Sequence, residues 1–150
     1  MREAIRLSVE KMRESQGGPF GAVVVRGDEV VGRGWSRVTS TNDPTAHAEV
    51  VAIRDACGRL GRFHLEGCEL YSSCEPCPMC LAATYWARIA RVWFGCGRDD
   101  AAAIGFADAR IYAEIARDPT ERELPAAQIL RDEAIAAFDE WRAKRDRIPY

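Results

Sequence analysis

The sequence lacks the features that mark membrane, secreted or nucleic-acid-binding proteins. No window approaches the ~20 consecutive apolar residues that a membrane-spanning helix requires. The first 15 residues mix both charges and contain no apolar stretch of the kind found in signal peptides. The 21 basic and 23 acidic residues leave a net charge of -2, which gives no general attraction to nucleic acid. We therefore expect a cytoplasmic protein with no membrane partner, and a nucleic-acid partner is disfavoured.

Internal repeats and low-complexity runs are lacking as well. Hydrophobic residues make up 47% of the chain and charged residues 29%, which is typical of a globular domain with a buried core. The length suits a single domain over residues 1–150. Strand-like runs alternate with runs of helical periodicity, which predicts an α/β fold with a central mixed β-sheet flanked by helices.

Helices are predicted where apolar residues recur at helical spacing, and strands where short apolar runs are bounded by turn residues. The first helix would turn Ile5, Val9 and Met12 to one face. Asp43 would cap the second helix, with Pro44 in its first position. The predicted helices cover about residues 2–15, 44–60, 78–86, 108–116 and 133–145, and the predicted strands cover about residues 22–25, 29–35, 69–73, 91–95 and 126–129.

Cysteine is an informative residue type in this chain. Six occur, and three of them fall in the short segment CEPCPMC at residues 74–80. In a cytosolic chain of this size, such clustering favours metal binding over disulfides. The other three, Cys57, Cys68 and Cys96, are predicted to be small buried hydrophobic residues. Of the two histidines, His64 stands alone in a loop-like stretch and is predicted to lie at the surface.

The other histidine belongs to a segment with the residue types of a catalytic metal site. His47 and Glu49, followed by Cys77 and Cys80, give the pattern H-x-E…P-C-x-x-C. One imidazole and two thiolates can bind a zinc ion and leave its fourth position open for water. Cys77 and Cys80 would share one face at a helix start, where partial positive charge stabilises thiolates. Glu49 need not bind the metal and is therefore a candidate for proton transfer.

A closed structural zinc site is the alternative interpretation. A C-x-x-C pair also occurs in redox sites and zinc knuckles. Cys74 could complete a four-ligand set with His47, Cys77 and Cys80, which would make the chain a non-catalytic domain. Glu49 argues against this alternative, because a structural site does not need a carboxylate two residues from its histidine.

Four segments resemble the cytidine deaminase superfamily, and the likeness is strongest to the small bacterial guanine deaminases. They are GGPFGAVVV at residues 17–25, NDPTAHAEV at 42–50, YSSCEPCPMCLAATYWAR at 71–88 and GFADARIY at 105–112. The H-x-E…P-C-x-x-C pattern is the signature of the zinc-dependent base deaminases. Bacterial tRNA adenosine deaminases share the zinc motifs, but they usually carry a histidine where this chain has Trp86 and lack a GFADARIY-like segment.

The resemblance implies a fold, a cofactor and roles for individual residues. The fold would be the three-layer sandwich of the superfamily, with one Zn²⁺ per chain held by His47, Cys77 and Cys80. Glu49 would be the principal proton shuttle. Asp108 would contact the purine edge and help to carry a proton to the departing amine.

The resemblance also implies a set of residues around the base. Phe20 and Trp86 would line the pocket, and Tyr150, the last residue, would close it. The plain alternatives are that the two aromatic residues belong to the core and that Asp108 is a helix N-cap. Together, the residues implied to contact the substrate are Phe20, Ser36, Trp86, Asp108 and Tyr150.

Ser36 departs from the family pattern. Guanine and tRNA adenosine deaminases carry an asparagine at this position, and its amide would hydrogen-bond the base. A serine side chain is shorter and cannot offer a separate amide donor and carbonyl acceptor at that reach. Either water fills the gap, or the substrate differs from plain guanine.

The expected reaction is zinc-dependent hydrolytic deamination of a free nucleobase or a similar amino-heterocycle. Guanine, giving xanthine and ammonia, is the best single candidate, while Ser36 leaves another base, a pterin or an aminotriazine open. The runner-up is a tRNA adenosine deaminase, which forms inosine. That activity needs a basic surface and an open groove for a flipped base, and a closing tyrosine disfavours it.

By the same resemblance, the chain is expected to form a homodimer. The C-terminal segment from about residue 118 would cross to the partner subunit, so that Tyr150 closes the neighbouring site. The segment Asp118-Pro119-Thr120-Glu121 is predicted to be the flexible connection for such a domain swap.

Overall fold

The computed structural model describes residues 1–149, which form two compact units joined between Ala109 and Arg110. The N-terminal unit, Met1–Ala109, contains the β-sheet and the candidate metal ligands. The C-terminal unit begins at Arg110 and is built from helices and turns. Among the described residues, no helix has the length and apolar character needed to cross a membrane.

A four-stranded sheet forms the centre of the N-terminal unit. Strand β1 pairs antiparallel with β2 and with β3, whereas β3 and β4 run parallel. The predicted mixed sheet is therefore confirmed, and each of these strands lies within one residue of its predicted range. In the order β2-β1-β3-β4, the sheet consists of Glu29–Trp35, Gly21–Arg26, Cys68–Cys74 and Arg91–Cys96.

Helices cover both faces of this sheet. Because alternate residues of a strand point to opposite faces, Val23 of β1 packs on one helix and its neighbours Ala22 and Val24 pack on another. The first of these is α1 (Arg2–Arg13) and the second is α3 (Ala48–Leu60). The arrangement is the predicted three-layer α/β sandwich. The remaining helices of this unit are α2 (Val38–Thr41), α4 (Pro78–Trp86) and α5 (Arg98–Ala103).

Two glycines of β2 allow α3 to lie directly against the sheet. A Cβ on Gly32 would stand 2.4 Å from the carbonyl oxygen of Ala52, and one on Gly34 would stand 2.1 Å from that of Ala48. Side chains at either position would push the helix away. Since Glu49 follows Ala48, this close packing also holds the candidate proton shuttle against the strands.

The buried face of α1 differs from the predicted one. Ala4, Leu7 and Ser8 are buried, whereas Ile5 and Met12 are exposed. The helix approaches β1 so closely that a Cβ on Gly21 would stand 2.3 Å from the carbonyl oxygen of Ala4. Small residues therefore form the contact between α1 and β1. The prediction, made from helical spacing, that larger apolar residues form the buried face of α1 is wrong.

The start of α3 also differs from the prediction. Asp43 does not cap this helix, because its carboxylate accepts hydrogen bonds from the backbone N–H of Thr45 at 2.8 Å and from its hydroxyl at 2.6 Å. These bonds close a local turn, and α3 begins at Ala48 with His47 in the N-cap position. The polar loop before it contains α2, and α5 was not predicted at all.

The C-terminal unit contains α6 (Ala109–Ala116), a 3-10 turn (Pro119–Glu121) and α7 (Arg131–Ala143). The turn occupies the predicted flexible connection and is closed by Asp118, which accepts a hydrogen bond from the N–H of Thr120 at 2.9 Å. Residues 126–129 form no strand, so that prediction is wrong. None of the described residues from Arg110 onward is buried.

Candidate active site

The three predicted metal ligands are brought together by the starts of two helices. His47 is the N-cap of α3, and Cys77 is the N-cap of α4 with Pro78 behind it in the first turn. Cys80 lies in that same turn, on the face that Cys77 also occupies. The ligand atoms of the three residues all lie within 4.8 Å of one another.

The distances within this cluster fit a tetrahedral zinc ion. The His47 Nδ1 atom lies 3.4 Å from the Cys77 Sγ atom and 3.5 Å from the Cys80 Sγ atom. Bonds of about 2.0 Å to nitrogen and about 2.3 Å to sulfur, held at the tetrahedral angle, separate those atoms by about 3.5 Å. The donor set of one imidazole and two thiolates also suits zinc.

The pKa values of the two cluster thiols are shifted in opposite directions. A hydrogen bond from Cys80 and another from His47 lower the pKa of Cys77 to about 4. The same contact with Cys77, together with burial, raises the pKa of Cys80. Cys77 is thus a thiolate at neutral pH, which makes it a ready metal ligand.

Glu49 lies beside the cluster and is almost completely enclosed. Its exposed fraction is 6%, and burial raises the pKa of its carboxyl. The hydroxyl of Ser72 donates a hydrogen bond to its Oε1 atom at 3.2 Å. A carboxyl in such a position can both accept and return a proton near neutral pH.

Cys74 lies outside the three-residue metal cluster. It is buried at the end of β3, and its Sγ atom faces the carbonyl oxygen of Gly97 at 3.8 Å. Burial raises the pKa of this thiol to about 11. This geometry disfavours the closed four-ligand site.

Phe20 and Ser36 are held next to each other. The N–H of Ser36 donates to the carbonyl oxygen of Phe20 at 3.0 Å, and Ser36 has an exposed fraction of only 7%. Gly17 packs against Ser36 from another side, and a Cβ on Gly17 would stand 1.7 Å from the Ser36 carbonyl oxygen. The Phe20 ring meets the Phe106 ring edge to face at a centroid distance of 4.9 Å.

The other residues implied to contact the substrate are less enclosed. Asp108 is half-buried; burial raises the pKa of its carboxyl, and the negative charge of the Cys77 thiolate adds to the rise. Asp108 therefore lies within electrostatic reach of the metal cluster. Trp86 ends α4 with 70% of its surface exposed, so it is not a core aromatic. Tyr150 lies outside the described residues.

Ser72 and Phe106 contact the candidate site residues Glu49 and Phe20, and neither contact was predicted from the sequence. Ser72 lies two residues before the end of β3, and the last three residues of that strand are all buried. The sequence did contain a signal for Ser72. Its strand leads directly into the C-x-x-C segment, so the polar residues of that strand must lie near the metal ligands. Phe106 lies within the segment GFADARIY, on which the family resemblance rests, but no role was assigned to it.

The chain is similar to guanine deaminases over its full length. The chain is 47% identical to a guanine deaminase of Bacillus subtilis over 150 residues, which is 100% of this chain and 96% of the relative. The X-ray structure of a Bacillus subtilis guanine deaminase superposes with a TM-score of 0.96 at 46% identity, over 99% of this chain and 95% of that one.

More distant relatives share the same fold. A guanine deaminase structure from Nitrosomonas europaea gives a TM-score of 0.67 at 27% identity, over 95% of this chain and 82% of that one. A tRNA-specific adenosine deaminase of Aquifex aeolicus is 47% identical, but only over 51% of this chain and 50% of its own length.

Residues 1–96 match the family described as the cytidine and deoxycytidylate deaminase zinc-binding region. The match includes all three cluster residues and Glu49. The family resemblance read from the sequence is therefore confirmed, and the chain belongs to the cytidine and deoxycytidylate deaminase family.

Proposed function

We propose that this chain is a zinc-dependent aminohydrolase that converts guanine and water into xanthine and ammonia. The observation that carries the proposal is a three-ligand cluster of zinc dimensions, formed by His47, Cys77 and Cys80, with the buried carboxyl of Glu49 beside it. The full-length likeness to guanine deaminases supports guanine as the substrate.

One zinc ion per chain would be held by the three cluster residues. When bound with an open fourth position, zinc activates water for nucleophilic attack near neutral pH. Cys77 is ready to bind the ion because its pKa is lowered to about 4 by its contacts with Cys80 and His47. His47 contacts both sulfur atoms through Nδ1, which makes this nitrogen the one that would bind.

Glu49 carries the proton transfers in this proposal. Its carboxylate takes one proton from the attacking water and returns it to a ring nitrogen, and it then passes the second proton of that water to the amine, which leaves as ammonia when the C–N bond breaks. Ser72 donates a hydrogen bond to Oε1, and a hydrogen bond with the Cys80 thiol holds the same carboxyl against the metal cluster. Asp108, whose pKa is raised by burial, contacts the purine edge and assists at the amine.

Phe20, Ser36 and Trp86 form the binding surface for the base, with Tyr150 as its closing residue. The Phe20 ring is held by Phe106 and offers an aromatic face of the kind that stacks on a base. Water is kept from the reacting atoms on the side where Glu49 and Ser72 are buried.

Ser36 favours a second candidate substrate class, namely other amino-substituted heterocycles. Its hydroxyl is shorter than an amide side chain and offers the base one group in place of a separate donor and acceptor. A base, pterin or aminotriazine with a different edge would match that reduced set of hydrogen bonds. A tRNA adenosine deaminase is a weaker candidate, because the sequence likeness to a curated enzyme of that type covers only about half of the chain.

A substrate panel tests the proposal. The purified, zinc-loaded protein is mixed with guanine, adenine, cytosine, pterins, aminotriazines and the matching nucleosides, and ammonia release is measured. We expect guanine to have the highest kcat/KM, with xanthine as the second product. Ammonia release from another heterocycle but not from guanine would support the aminohydrolase activity and reject guanine as the substrate.

We further propose that the protein acts as a homodimer in which the segment from about residue 118 crosses to the partner. The C-terminal unit exposes large apolar side chains, including Phe138, Trp141 and Ile148, and buries none of its described residues. A helical unit of this kind needs another surface to be stable. A swapped segment would provide that surface and bring Tyr150 to the neighbouring site.

Subunit mixing tests the swap. Chains that lack residues 148–150 are mixed with chains that carry Glu49→Gln, each being nearly inactive alone. If the tail acts across subunits, the mixture recovers activity, because one site of each mixed dimer has both Glu49 and a tail. A mixture that exchanges subunits and stays inactive would reject the crossing.

A further inference from the structure

Two cysteines outside the metal cluster stand side by side on neighbouring strands. Cys74 ends β3 and Cys96 ends β4, and the two residues are direct partners in the parallel ladder. Such partners point their side chains to the same face of the sheet, and the strands lie about 4.8 Å apart. That spacing is within the Cα separation of about 4.4–6.8 Å across which disulfides form.

The two thiols differ in access to solvent. Cys96 is exposed, which corrects the prediction that it is buried, whereas Cys74 is enclosed. Burial raises the pKa of Cys74 to about 11, and the negative charge of a Cys96 thiolate contributes to that rise, as expected for close neighbours. The pair thus consists of one thiol that is accessible to oxidants in solution and one that is shielded from them.

We propose that Cys74 and Cys96 are a reversible redox site, in which a mild oxidant forms a disulfide that displaces the start of the metal-binding segment and lowers deaminase activity. Formation of the bond is independent of the reaction that the enzyme catalyses, whereas the effect on activity rests on the proposed function.

Hydrogen peroxide can supply the oxidising equivalents. The Cys96 thiolate attacks peroxide, the O–O bond breaks, and a sulfenic acid forms as hydroxide leaves. The Cys74 sulfur then attacks the Cys96 sulfur, so that an S–S bond forms and the S–O bond breaks. The proton of Cys74 and the departing hydroxyl leave as water. Two electrons have then passed from the two sulfurs to the peroxide, and a dithiol reductant reverses the step.

The ends of β3 and β4 are connected to the metal-binding segment by further contacts. The N–H of Glu75 donates to the carbonyl oxygen of Cys96 at 2.8 Å, and the Glu75 carboxylate pairs with Arg98 at 3.1 Å. A disulfide needs Cβ atoms about 3.8 Å apart, which is closer than the strands normally bring them. Formation of the bond would therefore pull on Glu75 and on Cys77, two residues further along.

A displacement of this size matters at the metal. A shift of about 1 Å in a reacting group can cost on the order of 10²-fold in rate. The bond would also be strained and close to solvent, and disulfides of that kind are the labile and regulatory ones. The site is therefore suited to oxidation and recovery in a reducing compartment.

The experiment uses the zinc-loaded protein and hydrogen peroxide as the oxidant. After titration with peroxide, the protein is alkylated and mapped by mass spectrometry without reduction. We expect a crosslink between the peptides of Cys74 and Cys96, a fall in kcat/KM of roughly 10-fold or more, as a small displacement at a metal site produces, and recovery with dithiothreitol. Zinc content is measured in parallel and should be retained.

Two variants sharpen the test. Cys96→Ser removes the exposed thiol and should keep basal activity while becoming insensitive to the same peroxide dose. Cys57→Ser is the matched control, since Cys57 is a half-buried cysteine outside the pair, and it should respond as the unmodified chain does. Crosslinks that join Cys77 to Cys80 or to Cys74 would overturn the proposal, and so would a fully active Cys74–Cys96 crosslink. Absence of guanine activity before oxidation would reject the proposed function, while the crosslink map would still decide the redox site.

Discussion

The hydroxyl of Ser72 and the carboxyl of Glu49 are joined across the contact between β3 and α3 by a hydrogen bond of 3.2 Å. Both side chains are buried, with 1% and 6% of their surfaces exposed. Ser72 lies on the strand that leads into the C-x-x-C segment, whereas Glu49 lies on the helix that begins after His47. One contact therefore links the candidate proton shuttle to the strand that positions two candidate metal ligands.

Glu49→Gln should abolish most of the activity and leave the metal in place. The amide has nearly the same size but cannot accept a proton at neutral pH. General acid–base groups contribute typically ~10²–10⁴-fold, and since Glu49 would serve several transfers, we expect a loss at the upper end of that range. Steady-state kinetics and zinc analysis of the same preparation check this. Turnover near the normal rate would remove Glu49 from the mechanism.

Ser72→Ala tests whether the hydrogen bond to Glu49 matters for the rate. The variant leaves the carboxyl in place but without its donor, and hydrogen bonds to charged groups are worth about 1.5–3 kcal/mol. We expect kcat to fall by roughly 10-fold to 100-fold while KM changes little, because Ser72 would act on the proton shuttle and not on the substrate. A raised KM with unchanged kcat would instead assign Ser72 to substrate binding.

Substitution of single cysteines should distinguish the metal ligand Cys80 from the neighbouring Cys74. Cys80→Ala should purify without stoichiometric zinc, because three-ligand sites do not tolerate the loss of a thiolate. Cys74→Ala should retain zinc, since Cys74 lies outside the cluster. Atomic absorption on both proteins measures the difference, and zinc loss from the Cys74 variant would support the closed site.

Ser36→Asn should shift substrate preference toward guanine. The longer side chain offers an amide donor and a carbonyl acceptor in place of one hydroxyl. An additional hydrogen bond to the base in a buried site is worth on the order of 1–3 kcal/mol, which corresponds to roughly 5-fold to 150-fold in relative kcat/KM. The substrate panel described above provides the measurement. An unchanged preference order would mean that Ser36 does not contact the base.

Two glycine-to-alanine substitutions should change stability in opposite directions. In Gly34→Ala, the new Cβ would stand 2.1 Å from the Ala48 carbonyl oxygen, so α3 must move, at a cost of about 1–3 kcal/mol or more. In Gly58→Ala, nothing lies within 4 Å of the new Cβ, and helix propensity should stabilise α3 by about 0.5–1 kcal/mol. Urea unfolding curves of both variants give the two free energies. Equal stability of the two would contradict the close packing of α3 on β2.

The sequence was sufficient for the elements whose signals are local. Pro78 marked the start of α4, and the turn at residues 26–28 marked the hairpin of β1 and β2. The motif spacing identified the three cluster residues, because short-range geometry at helix starts determines where their side chains point. Membership of the deaminase family followed from the same motifs.

Features that depend on tertiary contacts were missed or misread. The start of α3 was misread for a local reason, because Asp43 closes a turn with Thr45 and does not cap the helix. The buried face of α1 followed the need for small residues next to β1, which helical spacing does not reveal. The exposure of Cys96 reflects its position on the edge strand β4, and sheet order cannot be read from a single sequence.

The close contacts at the two glycines of β2 limit which parts of such an enzyme can change during evolution. The helix that carries His47 and Glu49 is held to the sheet at backbone distance, so substitutions there are costly. Ser36 comes immediately after the same strand, outside the two glycine positions on which that helix rests. If Ser36 contacts the base as proposed, substrate choice and proton transfer evolve under separate constraints, and a new amino-heterocycle could be recruited by altering one loop while the hydrolytic machinery stays intact.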